Sequence, residues 1–190
     1  MLEGLKPCKV MRFFEEISKI PRRSGEEDKV VEYLKKFAIE RNLEYYTDNY
    51  RNIVIKKEAS QGKENSPAIA LQAHTDMICE KLPESNHDFS KDGLELYVDG
   101  DFIRAKGTTL GADNGIGVAI ILAVLDCEKI KAPKLECIFT SEEETTMLGA
   151  INLDLANIES NRIISLDLSL IHLSAPTRRS YISYAVFCLK

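Results

Sequence analysis

Three short apolar runs of this 190-residue chain end in residues able to hold a metal ion. Leu71-Gln72-Ala73 runs into His74-Thr75-Asp76, Phe139-Thr140-Ser141 into Glu142-Glu143-Glu144, and Ile163-Ile164-Ser165-Leu166 into Asp167, while Asp113 stands in a glycine-punctuated stretch. Each alone reads most simply as a polar strand end. Their recurrence at one topological place carries more weight, because carboxylates crowded at a sheet edge repel one another and a bound divalent cation offsets that repulsion. Imidazole plus carboxylate, without thiolate, suits zinc, cobalt or manganese, with zinc first. A carboxylate shared by two ions suits a co-catalytic pair about 3.5–4 Å apart. In His74-x-Asp76 the aspartate can accept the second imidazole N–H, which would fix the tautomer and strengthen the ligand.

The elements that must position these residues are legible from periodicity. Val10, Phe13, Phe14, Ile17 and Ile20 recur at helical spacing and predict a helix over 8–20, stopped by Pro21. Ser24 and Glu27 have capping-box spacing and predict a second helix to about residue 41. Strands are expected at 43–47 and 53–56 around a turn, at 68–72 as a buried run, and at 94–98 and 102–105 around Asp99-Gly100. A glycine-rich loop over 107–117 precedes a buried helix at 118–125, and further strands follow at 135–140 and 162–166. Such alternation predicts an α/β fold with a mainly parallel sheet flanked by helices, whose ligands gather beyond the carboxyl ends of the strands.

Composition narrows the partners. Twenty-five basic against thirty acidic residues give a net charge of -5, which argues against a nucleic-acid partner. An odd count of five cysteines with no C-x-x-C spacing argues against a disulfide framework and for a reducing, cytoplasmic setting. No apolar run approaches the ~20 residues of a membrane span, so no membrane partner is expected. Residues 107–117 lack the Gly-Lys-Ser/Thr of a phosphate loop, and Ile120 stands where a dinucleotide fingerprint wants Gly or Ala. His87 reads as a loop anchor and Cys79 as a small buried hydrophobe.

The segments LQAHTDM, HDFSKDG, RAKGTTLGADNGIGVA and IFTSEEETTMLGA resemble, in order, the aminoacyl-histidine dipeptidase branch of the di-zinc exopeptidases, which includes the cytosolic non-specific dipeptidases. The resemblance covers roughly residues 5–167. It implies that His74 is a zinc ligand with Asp76 behind it, that Asp113 bridges two ions, and that Asp167 is a further ligand beside His74. Counting back from Met147, Gly149 and Ala150, it implies Glu143 as general base and Glu144 as ligand of the second ion, with a shift onto Glu142 and Glu143 as the competing register. It also implies a cis peptide at Asp113-Asn114. Thr146 stands where relatives often have glycine. The implied activity is zinc-dependent hydrolysis of dipeptides, of Xaa-His type or of broad specificity. A tripeptidase, an N-acyl amino acid deacylase and a non-catalytic zinc-binding fragment are the alternatives.

Family members are more than twice as long, with a lid and dimerisation region and a final metal-binding histidine that this sequence does not include. Residues 1–167 are thus expected to form the N-terminal part of a catalytic domain. Residues 168–190, SLIHLSAPTRRSYISYAVFCLK preceded by Leu168, depart from the acidic run expected after Asp167 and resemble a translated adapter read, so they are expected to be a foreign or disordered tail. Of the two zinc ions of the family, one is expected to bind here, through His74, Asp113 and Asp167, and the chain itself is expected to be inactive toward its dipeptide substrate.

Overall fold

The computed structural model of the protein describes residues 2–167, and the expected foreign tail lies outside them. Helix α1 (Cys8–Ser18) buries Val10, Phe13, Phe14 and Ile17 of the stripe its periodicity predicts, and Met11 besides, and closes before Pro21 with Ile20 half-buried beyond its end. Helix α2 (Asp28–Glu40) buries Val30, Val31, Leu34, Phe37 and Ala38. The two helices meet through an edge-on contact of Phe13 and Phe37 with ring centroids 5.6 Å apart. The predicted capping box does not form. Glu27 is itself the N-cap residue and makes no side-chain cap, and the Ser24 hydroxyl is committed elsewhere, to Asp76.

Seven strands follow the predicted order. β1 (Glu44–Thr47), β2 (Ile53–Lys57), β3 (Ile69–His74), β6 (Leu135–Thr140) and β7 (Ile163–Ser165) form one sheet in the order β1-β2-β6-β3-β7, and β4 (Leu96–Asp99) and β5 (Phe102–Ala105) pair separately. The sheet is mixed. β3 runs parallel to both β6 and β7, as predicted, whereas β1, β2 and β6 are joined antiparallel. The 48–52 turn is too short for anything but a hairpin between β1 and β2, since a parallel link needs a dozen residues or more. β6 lies at the centre with all six of its residues buried.

Helix α3 (Ala112–Leu125) starts earlier than the predicted 118, but its first turn is irregular. Asp113 and Asn114 leave helical geometry, with Asp113 at φ -83° and ψ 113°, and the Asp113–Asn114 peptide is cis. Gly111 before it has φ +62°. From Gly115 onward the helix is apolar on all sides because it is sandwiched between α1 and β3, and Val118, Ala119, Ile121 and Leu122 are fully buried. Burying each Ile or Leu there stabilises the fold by about 1.5–3 kcal/mol. Lys57 closes the other end, its Nζ donating to the carbonyls of Leu125 and Cys127 at 2.8 Å. A short helix α4 (Leu148–Ile151) and a 3-10 turn (Leu155–Asn157) lead into β7.

Candidate metal centre

Because β3, β6 and β7 are parallel, their carboxyl ends coincide. His74 is in register with Thr140, and Gln72 with Ser165, so the residues that follow Thr140 and Ser165 converge on His74. The structure brings together all the predicted residues. Ligand atoms of His74, Asp113 and Asp167 lie within 4.8 Å of one another, and so do those of His74, Glu143 and Glu144. His74 Nε2 is 3.1 Å from Asp113 Oδ1 and 3.9 Å from Glu143 Oε2. The grouping of Glu143 with His74 differs from the pattern read from the sequence, in which Glu143 stands apart from the ligands.

Asp76 lies behind His74, with Oδ1 3.3 Å from the imidazole Nδ1. The carboxylate is wholly buried and also accepts the Ser24 hydroxyl at 2.7 Å and the backbone N–H groups of Glu143 and Glu144 at 3.1 Å each. One aspartate therefore ties the strand end of β3 to the loop after β6. Glu142 turns away from the cluster. It has φ +52°, and its carboxylate meets Arg51 Nη1 at 3.4 Å and the Thr146 hydroxyl at 2.8 Å. Of the two registers open to the three glutamates, the geometry brings Glu143 and Glu144 to His74.

Charge in the cluster is one-sided. Burial works against a charged His74, but the hydrogen bond and charge of Asp76, with Glu143 and Asp167 adding, outweigh it and hold the imidazole pKa at about 9. Burial also raises the carboxyl groups of Glu143 and Glu144, and their acidic neighbours push the same way. Burial works against a charged Asp76 as well, yet its bonds from His74, Ser24 and Glu144 keep its carboxyl below the ordinary range. The donor set, one imidazole with its back nitrogen occupied and several hard oxygens drawn together, fits a divalent metal ion that would relieve this accumulation.

Two positioning groups escaped the sequence reading. Arg22 is fully buried and donates from Nη1 to the carbonyls of Thr75 and Asp76 at 3.1 and 3.2 Å, and from Nη2 to that of Gly111. It spans from the His74 loop to the turn before Asp113. Its neighbour Arg23 is exposed and pairs loosely with Glu26, so nothing in the Arg22-Arg23 doublet itself distinguishes the two. A Cβ on Gly111 would collide with Arg22 and Met77, and one on Gly117 with Asn114 and the Leu166 backbone, which explains glycine there. The second group is Glu27, buried against the glutamate loop. His87 stands edge-on to Phe89 at 4.5 Å and lends its carbonyl to Lys81, and half-buried Cys79 approaches the Met77 carbonyl. Neither appears in the metal-ligand groupings.

Fold and side-chain set together make an α/β domain with a candidate divalent-metal centre at the carboxyl ends of its parallel strands. No family model matches the sequence. The chain is 40% identical over 166 residues to the cytosol non-specific dipeptidase of Escherichia coli K12, a match spanning 87% of this chain and 34% of that protein. The crystal structure of aminoacylhistidine dipeptidase from Vibrio alginolyticus superposes with a TM-score of 0.84 at 38% identity, again over 87% of this chain and 34% of that one. A Staphylococcus aureus tripeptidase shares the fold at 22% identity, with a TM-score of 0.72 over 85% of this chain and 43% of that one. The chain is similar to these dipeptidases over 87% of its own length and spans about a third of theirs. Among the described residues no helix is long and apolar enough to cross a membrane.

Proposed function

We propose that this chain carries a metal centre and the general base of a cytoplasmic zinc dipeptidase, of Xaa-His or broad specificity. The observation that carries the reading is the convergence of His74, Asp113 and Asp167 within 4.8 Å, with Glu143 in the neighbouring group. A metal held there supplies Lewis acidity toward a peptide carbonyl and makes water nucleophilic near neutral pH. Asp76 holds Nδ1 of His74 and so directs the Nε2 lone pair outward. Glu143 Oε2 takes a proton from the attacking water and returns it to the nitrogen of the leaving amine as the C–N bond breaks. Asp113 would ligate both ions and Glu144 the second.

The structure groups His74, Asp113 and Asp167 for the first ion and sets Glu144 beside His74 and Glu143; with Glu143 kept as the base and His74 used by the first ion, the resemblance leaves Asp113 and Glu144, among the described residues, for the second. Three protein ligands suffice for a zinc site with an open position, and two do not. The chain is accordingly expected to bind about one equivalent of Zn2+ tightly, with Co2+ or Mn2+ as substitutes, and to hydrolyse dipeptides no faster than background. The test compares dipeptide turnover by this chain and by Glu143→Ala with each metal added. Equal rates with one tight equivalent fit the proposal. Turnover well above the variant would show a working dipeptidase in this chain alone, and no metal binding at all would remove the reading.

A further inference from the structure

Four consecutive backbone N–H groups, those of Ser141, Glu142, Glu143 and Glu144, donate to side chains rather than to backbone. Ser141 donates to Asn52 Oδ1 at 3.3 Å, Glu142 to Glu27 Oε1 at 3.0 Å, and Glu143 and Glu144 to the two oxygens of Asp76 at 3.1 Å each. The acceptors come from the turn before β2, the approach to α2 and the end of β3, and all three residues are buried, with 1%, 0% and 0% exposure. A buried amide left without an acceptor costs about 1–3 kcal/mol, so a loop held by four such bonds has its register fixed by whichever acceptors face it.

That matters because the loop is ambiguous in itself. Glu142, Glu143 and Glu144 are chemically identical, and a slip of one residue would present Glu142 and Glu143 to His74. Glu142 must also occupy φ +52°, a conformation a non-glycine residue adopts only when held there. Two groups hold it. Glu27 accepts its N–H, and Arg51, which also lies 3.9 Å from Glu27 Oε2 and 3.3 Å from Asp28, takes its carboxylate. Glu27 Oε1 additionally accepts the Gly25 N–H at 2.9 Å, which fixes the carboxylate, and Glu27 Oε2 is buried with no hydrogen-bond partner among the described residues. A fully buried carboxylate at that cost is better explained by the loop it holds than by helix capping, which it does not perform.

We infer that Glu27 is a positioning residue whose carboxylate, by accepting the Glu142 amide, fixes the register in which Glu143 and Glu144 face His74. This rests on the metal-centre reading, since register has chemical meaning only there.

The test uses the whole chain and two readouts, amide exchange at 141–144 without metal and titration with Co2+ followed through its visible absorption. Glu27→Leu removes the acceptor at similar volume, and Glu27→Gln restores one. Glu27→Leu is expected to exchange these amides roughly tenfold faster or more, by a larger factor than amides of the β6 core, with cooperative global melting retained. It is also expected to bind Co2+ roughly 10–100-fold more weakly with an altered absorption band, while Glu27→Gln retains both properties. Unchanged exchange in Glu27→Leu would overturn the inference. So would faster exchange with unaltered Co2+ binding, or a Glu27→Gln as impaired as Glu27→Leu. Should Glu27→Leu fail to fold, Glu27→Asp, which draws the acceptor back by one methylene, is read against Glu27→Gln in the same way, and equal behaviour of the two overturns it. If the unaltered chain binds no Co2+, the proposed function fails on its own, and exchange alone decides whether Glu27 anchors the loop.

Discussion

Asp76 concentrates more of the site than any other side chain. Removing its carboxylate in Asp76→Ala strands three donors at once, from Ser24, Glu143 and Glu144, while His74 Nδ1 keeps the Asp76 carbonyl at 3.2 Å. At about 1–3 kcal/mol for each buried donor left unpaired, discounted for relaxation, the loss of stability should reach at least ~3 kcal/mol in a denaturant titration. Ser24→Ala removes one bond and should cost about 1 kcal/mol by the same measurement. Part of this was legible in advance. The His74-x-Asp76 spacing indicated an aspartate behind the imidazole, because positions i and i+2 of an extended segment share one face. The bonds from Ser24 and from the glutamate loop span 52, 67 and 68 residues, and no local pattern announces contacts of that range. Ser24 and Glu27 were read as a capping box because their spacing fits one, and tertiary contacts claimed both.

Among the elements, helices and strands with a strong apolar period were legible and their junctions were not. The irregular first turn of α3 depends on Gly111, which tolerates φ +62° and leaves space for Arg22. Gly111→Ala pays for both the conformation and the collision, and should lower stability by roughly 2–4 kcal/mol, seen as a fall in the denaturation midpoint. The hairpin of β1 and β2 was legible from its turn, whereas the antiparallel pairing of β2 with β6 was missed because the two strands are far apart in sequence. A buried carboxylate sits on β6: Glu136 receives the N–H groups of Glu159 and Ser160 and lies 3.6 Å from Lys56 on β2. Burial alone would raise its carboxyl, but these bonds and Lys56 outweigh it and lower it. A folded-state value below the unfolded one, near 4.3, gives a stabilisation present above that pH and lost as pH falls through the folded value. Glu136→Gln should therefore flatten the loss of stability below about pH 4.5, checked by denaturant midpoints at pH 6 and pH 3.5.

At the scale of the whole molecule, the proposed ligands come from β3, α3, the loop after β6 and the residues after β7, so the metal would bind the folded chain and not the unfolded one. Free metal at 100 times its dissociation constant should then add about 2.7 kcal/mol. Thermal scans with Zn2+ and with a chelator should differ accordingly, and the difference should vanish in His74→Ala. The parallel core also bears on the speed of assembly. β3 has no partner near it in sequence: it pairs with β6 across the hairpin and α3, and the Ser165–Gln72 bond at its other edge closes 93 residues. Closing such long segments consumes chain entropy before any contact repays it, which slows folding relative to proteins built on local contacts. The strand that carries His74 thus waits on neighbours distant in sequence, and during refolding the ability to capture metal should appear only with the slow phase that completes the sheet.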